Sequence, residues 1–285
     1  MKIGVSLYSF HDYASDKSLG VKGCIKKAVE LGIQGLDFIE VGLSYDEYLD
    51  YAKDINKYCK ELGIEPVCFC TGADFINCTD IKEEIAKVKR NVDIAAAYGC
   101  SVLRHDCTPG FKPEMKTARG FDNALEIIVP AIREITRYAE GLGVVTTTEN
   151  HGFFAQDSER VEKLVNSVNE KNYGALVDIG NFNCADENSA IAVGRMAPYA
   201  RHAHAKDFHI KSGTGDDPGE GFFRSRAGNY LRGAIIGHGN VPVHQCVDTL
   251  KRAGYDGYLA IEFEGMEDPI RGITVGYNNL KKYIQ

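Results

Sequence analysis

Strand-like and helix-like segments alternate without a break from one end of this 285-residue chain to the other, and that alternation limits the folds open to it. Short apolar runs at 3–9, 35–41, 65–70, 101–105, 144–149, 173–178, 200–206 and 257–263 read as eight strands. Segments with helical spacing of apolar residues follow them at 20–31, 45–62, 81–98, 124–142, 158–168, 189–196, 243–253 and 275–284. Five of these helices run into a glycine (Gly32, Gly63, Gly99, Gly143 and Gly254), the residue that closes a helix in the left-handed conformation without strain. Runs such as Ala175-Leu176-Val177 are apolar throughout, as in a parallel strand buried on both faces. Eight strand–helix units in one run predict a closed (β/α)8 barrel, a single α/β domain over 1–285. The competing open, doubly wound sheet is disfavoured, because no Gly-x-Gly-x-x-Gly follows the first strand.

The bulk chemistry narrows the function classes. No Pro/Gly/Ser-rich linker, low-complexity tract or long charge run divides the chain, and 44% of its residues are hydrophobic, enough for a substantial core. A net charge of −7 argues against nucleic acid as the main partner, since phosphate binding needs a basic surface. No apolar stretch approaches the roughly 20 residues that cross a bilayer. The opening Met1–Tyr8 run is too short for the apolar core of a signal peptide and reads as a first strand. With nine scattered cysteines, the expectation is a cytoplasmic protein with reduced thiols.

Four segments in the second half each place a metal-binding side chain where a strand stops: Thr147-Thr148-Glu149-Asn150-His151, Val177-Asp178-Ile179-Gly180-Asn181, His202-Ala203-His204-Ala205-Lys206-Asp207 and Ile261-Glu262-Phe263-Glu264-Gly265. In a barrel of this type the chemistry sits at the C-terminal mouth, and adjacent strands about 4.8 Å apart let inward side chains share one ion. Carboxylates facing one another there would repel and be poorly solvated; a dication removes that penalty. Glu149, Asp178, His204 and either Glu262 or Glu264 offer mostly oxygen with one nitrogen, a set that suits Mn2+, Mg2+, Co2+ or Zn2+. Alternation puts Glu264 on the face of Glu262, His151 on the face of Glu149, and His202 one layer below His204. Arg104 and His105 face opposite ways; His105 is expected to meet substrate, while Arg104 is free to pair outside the barrel. Glu40 is open to either the mouth or a helix-facing ion pair. Both sulfurs of Cys68-Phe69-Cys70 share a face, where packing explains them, and neither Cys107 nor Cys184 has a partner marking it as a nucleophile. The long segment after His204 carries Lys211, Arg224, Arg226, Arg232 and Gly237-His238-Gly239-Asn240; phosphate binding, a lid and an oligomer contact all fit it.

In this order and on these strands, the four segments resemble the xylose-isomerase-like barrel superfamily, which includes sugar phosphate isomerases and epimerases. The resemblance runs from Ile3-Gly4-Val5-Ser6 to Gly254-Tyr255-Asp256-Gly257-Tyr258-Leu259-Ala260-Ile261-Glu262, and His204-Ala205-Lys206-Asp207 and that closing strand are its more specific parts. It implies one divalent metal ion held by Glu149, Asp178, His204 and Glu262. It also implies that Glu149 and Glu262 double as proton-transfer groups; the residues themselves offer His105, His151, Lys206 and Glu264 as substrate contacts. The activity implied is a metal-dependent isomerase or epimerase of a small sugar, sugar phosphate or sugar acid, acting through an enediolate. An inosose-type dehydratase, a metal-dependent endonuclease and a carbohydrate-binding barrel without catalysis are the alternatives. Asn181 stands where many members carry a histidine, which points away from the nuclease branch. Ile210 stands where ketose 3-epimerases carry an arginine. The expected partner is a small carbohydrate, with no nucleic acid or membrane, and a homo-oligomer is left open.

Overall fold

A computed structural model describes residues 1–15 and 19–285. Eight parallel strands close into a barrel: β1 (Lys2–Ser6), β2 (Gly35–Ile39), β3 (Glu65–Thr71), β4 (Val102–His105), β5 (Val145–Glu149), β6 (Tyr173–Asp178), β7 (Ala200–Ala205) and β11 (Tyr258–Ile261). β11 lies between β7 and β1 and completes the ring. Around it run α1 (Asp12–Ser15), α2 (Gly20–Leu31), α3 (Tyr45–Leu62), α4 (Ile81–Tyr98), α5 (Phe121–Glu140), α6 (Ser158–Val168), α7 (Ser189–Met196), α8 (Val243–Arg252) and α9 (Pro269–Ile284). The alternation read from the sequence is thus a (β/α)8 barrel.

The core divides unevenly. The large cluster fills the layer between strands and helices, with residues such as Leu36, Leu103, Val177 and Leu259 packed against Ile55, Val92, Ile132 and Val247. Inside the ring the apolar plug is small: Cys68, Val102 and Leu176, with Cys70 against them. The two sulfurs of the Cys-x-Cys strand do share a face, 3.8 Å apart. Because so little apolar volume fills the barrel, the inward positions nearer its mouth are left to polar side chains. No helix among the described residues is long and apolar enough to cross a membrane.

Local hydrogen bonding moves several boundaries. β1 stops at Ser6, not at residue 9, because the Ser6 hydroxyl accepts from the Tyr8 amide and starts a 3-10 turn over Leu7–Phe10. The last helix begins at Pro269, six residues earlier than its periodicity suggested, with the Asp268 carboxylate capping the Arg271 amide and proline at the first turn. The segment after β7 is not a bare loop. It forms an antiparallel sheet of β8 (Asp207–Lys211), β9 (Phe223–Arg224) and β10 (Tyr230–Ala234), with β10 in the middle. β10 comes so close to the chain beyond β11 that a Cβ on Gly233 would lie 2.3 Å from the Glu264 backbone, so only glycine fits there.

Candidate metal centre

Register brings the candidate ligands together. Asp178 ends β6 directly beside His204 of β7, and His204 pairs with Ala260 of β11, two residues before Glu262. Glu262 is fixed by backbone on both sides. Its own amide donates to the Ala205 carbonyl at 3.0 Å, and the Phe263 amide donates to the Ser9 hydroxyl at 2.9 Å. Ligand atoms from Glu149, Asp178, His204 and Glu262 all lie within 4.8 Å of one another. From His204 Nδ1 the distances are 3.6 Å to Glu262 Oε2, 3.8 Å to Asp178 Oδ2 and 4.0 Å to Glu149 Oε1. Ligands about 2.1 Å from a shared ion stand roughly 3.0 Å apart when adjacent and 4.2 Å when opposite. The three spacings from His204 fall within that interval.

Two buried atoms test the fit more directly. His204 Nδ1 and Asp178 Oδ2 make no hydrogen bond, although both residues are wholly buried, and Asp178 Oδ2 has only the Lys206 ammonium near it, at 3.4 Å. Such atoms are costly unless something satisfies them. Everything else about these side chains is engaged. Asp178 Oδ1 accepts from the Gly180 and Asn181 amides at 2.7 and 2.8 Å, and His204 Nε2 faces Asp37 Oδ2 at 3.0 Å. That contact keeps a proton on Nε2 and turns Nδ1 toward the three carboxylates, where a divalent ion would take the place of a second ring proton. Burial pushes the Asp178 carboxyl up to about 7, reinforced by Glu149 and Glu262 against the opposing pull of Lys206. These residues fit a divalent cation by geometry, by unmet hydrogen-bonding capacity and by charge.

Asp37, absent from the sequence reading, is the organising residue beneath. Its Oδ2 meets His202 Nε2 at 2.7 Å as well as His204. His202 is therefore the satisfied deeper histidine. Burial alone would raise the Asp37 carboxyl, but the two imidazoles outweigh it and hold it below its usual range. The missed signal is a charged residue at the centre of Gly35-Leu36-Asp37-Phe38-Ile39, which no cap or turn role explains.

The two carboxylates expected to move protons stand in different settings. Glu149 is clamped: Arg104 Nε reaches Oε2 at 2.6 Å, and the Asn181 side-chain amide donates to Oε1 at 2.8 Å. Glu262 keeps more exposure, and its Oε2 takes the Lys206 ammonium at 2.6 Å. Lys206 also meets Glu264 and Asn181, each at 3.1 Å, and lies 3.4 Å from Asp178. Burial works against a charged Lys206, yet Asp178, Glu262 and Glu264 more than offset it and hold its pKa well above the ordinary value. Burial likewise opposes charge on His204, and Glu262 and Asp37 override it. Glu264 lies beyond Glu262, across the ammonium, at the rim.

Strand β4 reverses one expectation. His105 does not reach the mouth: it is buried in the strand–helix layer, edge-on to Phe75, with Nδ1 on the Asp106 carbonyl at 2.7 Å. Arg104 is the residue that turns inward. The strand ends with Arg104 on the barrel face, where Glu149 and Asp106 balance its charge, and alternation then sends His105 outward. His151 does lie at the mouth, half exposed, its Nδ1 3.0 Å from Asp106 Oδ1. Burial lowers its pKa and the Asp106 hydrogen bond more than restores it, for a net rise. The glycine turn after β10 is closed to a phosphate by a resident anion. The amides of Gly237, Gly239 and Val241 all donate to the Asp207 carboxylate, at 2.9, 2.8 and 3.1 Å.

The mouth above these groups is a cleft of about 270 Å³, bordered by Tyr8, Cys70, Arg104, Glu149, His151, Lys206, Glu262 and Glu264 among others. Comparison with known proteins agrees with the architecture. An IolI protein crystallised with a bound zinc atom superposes with a TM-score of 0.77 at 18% identity, covering 100% of this chain and 98% of that one. The 3-keto-D-glucoside 4-epimerase of E. coli gives 0.73 at 16%, covering 99% of both. At such identities the likeness is one of fold. Among curated sequences, an uncharacterized protein of Methanocaldococcus jannaschii is 27% identical over 184 residues, 62% of this chain and 55% of that protein. A putative hydroxypyruvate isomerase of Streptomyces coelicolor is 26% identical over 198 residues, 66% of this chain and 62% of that protein. The matches therefore span little more than half the length of these relatives. The model of the family described as xylose isomerase-like TIM barrel matches residues 25–283. This chain belongs to the xylose isomerase-like TIM-barrel family.

Proposed function

We propose that this barrel is a divalent-metal-dependent isomerase or epimerase of a small carbohydrate, with Glu149, Asp178, His204 and Glu262 holding the ion. The observation that carries the reading is the convergence of two buried atoms that make no hydrogen bond, His204 Nδ1 and Asp178 Oδ2, on the space that Glu149 and Glu262 also face. A divalent ion there would supply positive charge where negative charge develops on the substrate oxygens. Glu262, open to the cleft, takes the proton from the carbon next to the substrate carbonyl. For return on the opposite face, Glu149, held by Arg104 and Asn181 across the ligand arc, gives up a proton taken from solvent, and Glu262 releases its own to solvent before the next turnover. Lys206 presents its ammonium to the substrate oxygens and keeps Glu262 and Glu264 apart from each other's charge. His151 and Glu264 border the cleft as the contacts for peripheral hydroxyls.

A dehydratase on the same opening step is supported by one feature, the His151–Asp106 pair. An imidazole whose pKa is raised beside a carboxylate can protonate a departing hydroxyl near neutral pH. Both readings are tested together by incubating the Mn2+-loaded protein in D2O with a panel of ketoses, sugar phosphates, hydroxypyruvate, 3-keto-glucosides and inososes. Deuterium entering one compound, lost in Glu262→Gln, supports proton transfer at carbon, and the product separates isomer from dehydrated ketone. Full label in Glu262→Gln, or a wild-type protein that binds no metal, would refute the assignment.

A further inference from the structure

Beside the polar cleft lies a much larger cavity of different chemistry. It encloses about 980 Å³, more than three times the space of the cleft, and the two share Tyr8, Ile39, Glu40 and Glu264 along their common border. Its floor is aromatic. Phe38 and Tyr98 stack at 4.3 Å, and Tyr51 meets Tyr98 edge-on. Its rim carries Val41, Leu43 and Phe223, which with Tyr8 are 37–46% exposed. Large apolar side chains left open around one concavity mark a binding surface, and a space of this size with few polar groups suits a small organic ligand.

We infer, on the reading that the metal centre binds a carbohydrate, that the substrate is a conjugate: a polar sugar head in the 270 Å³ cleft and an apolar, ring-bearing group in the adjoining 980 Å³ cavity. The continuity of the two spaces selects this occupant. A ligand anchored on Glu262 and Lys206 reaches the border at Glu264 and Tyr8, and anything joined to it there enters the aromatic chamber. The three-stranded insertion forms one wall through Gly221, Phe223 and Gly233, which accounts for a sheet where a short loop would serve a free sugar. A free small sugar would leave the chamber and its four exposed apolar residues without a ligand.

The test is a calorimetric titration of the Mn2+-loaded protein with 2-naphthyl β-D-glucopyranoside and with methyl β-D-glucopyranoside, beside a fluorescence titration with 1-anilinonaphthalene-8-sulfonate. The naphthyl compound should bind about tenfold to a hundredfold more tightly, and Val41→Trp, which fills the chamber from its rim, should erase the difference. Leu43→Ser keeps the test valid if the tryptophan variant does not fold, and should weaken the naphthyl compound alone. Equal affinities for the two glycosides, or a difference that both variants leave intact, would overturn the inference. If neither glycoside binds, glucose is not the head group held in the cleft, and the carbohydrate reading stands or falls on the deuterium panel. The fluorescent probe then decides the chamber: binding lost in Val41→Trp supports an apolar ligand site, and binding unchanged overturns it. A change in sedimentation coefficient on Val41→Trp, without a change in ligand affinity, would assign the chamber to a second copy of the chain and also overturn the inference.

Discussion

Asp37 and Phe38 are neighbours on β2, yet they face two regions governed by opposite physics. On the barrel side, Asp37 ties His202 and His204 into a buried polar network that ends in four candidate ligands. On the other side, Phe38 stacks on Tyr98 in the floor of an apolar chamber. The first region holds charges that are expensive to bury and must be compensated one by one. The second holds rings whose burial is favourable and non-directional. Substitutions should therefore act differently in the two. Polar changes inside the barrel should be steep and specific, whereas apolar changes in the chamber should be shallow and graded.

The largest effect is expected where a proton moves. Glu262→Gln should slow deuterium exchange by about 10²–10⁴-fold, measured by mass spectrometry of recovered substrate, with metal content checked separately. Glu149→Gln should slow it comparably but also loosen Arg104, which then loses its partner at 2.6 Å. If Glu149→Gln matched wild type in rate, the proton-return role would be lost and only ligation would remain.

Next comes the contrast across a single peptide in β4. Arg104 faces the polar interior, where Glu149 and Asp106 more than offset burial and hold its pKa above the ordinary value, while burial pushes its neighbour His105 down to about 4. An unfolded histidine titrates near 6.5. The unfolded chain therefore takes up a proton that the folded one refuses, so the stabilisation is complete above pH 6.5. It is lost as pH falls from about 6.5 through 4, at a cost of about 3 kcal/mol over the whole window. Urea unfolding midpoints at pH 7 and pH 5 should fall less steeply for His105→Gln than for wild type. Parallel slopes would show that this imidazole is not held neutral.

A smaller effect tests the support under the candidate metal ligands. Asp37→Asn should weaken Mn2+ binding by about 10–100-fold in a calorimetric titration, because His204 loses the carboxylate that fixes its tautomer. Unchanged affinity would limit Asp37 to packing. The smallest effect belongs to the chamber, where Phe223→Ser should cost about threefold to tenfold in affinity for the naphthyl glycoside and nothing for the methyl one.

Much of this organisation is legible along the chain. The eight-fold alternation is carried by local periodicity and by glycines such as Gly32, whose φ of +83° closes α2. The clustering of Glu149, Asp178, His204 and Glu262 follows from placing a side chain at the end of each successive strand. Other features depend on contacts between residues far apart in sequence. Alternation shows that Arg104 and His105 face opposite ways; only the position of Glu149 across the sheet decides which one turns inward. The antiparallel sheet after β7 is not marked locally because its strands run only two to five residues, and β10 leans on Gly265 through Gly233.

The sequence by itself therefore determined the barrel and the strands that bring four candidate ligands to one mouth, because periodicity, capping and alternation act over a few residues. Only the tertiary structure decided that Asp37 supports two histidines 165 and 167 positions away, and that Arg104 clamps Glu149. It also decided that the Gly237–Val241 turn is occupied by Asp207 and that an aromatic chamber adjoins the cleft. Those outcomes depend on which side chains meet across a closed ring, and closure is a property of all eight strands at once.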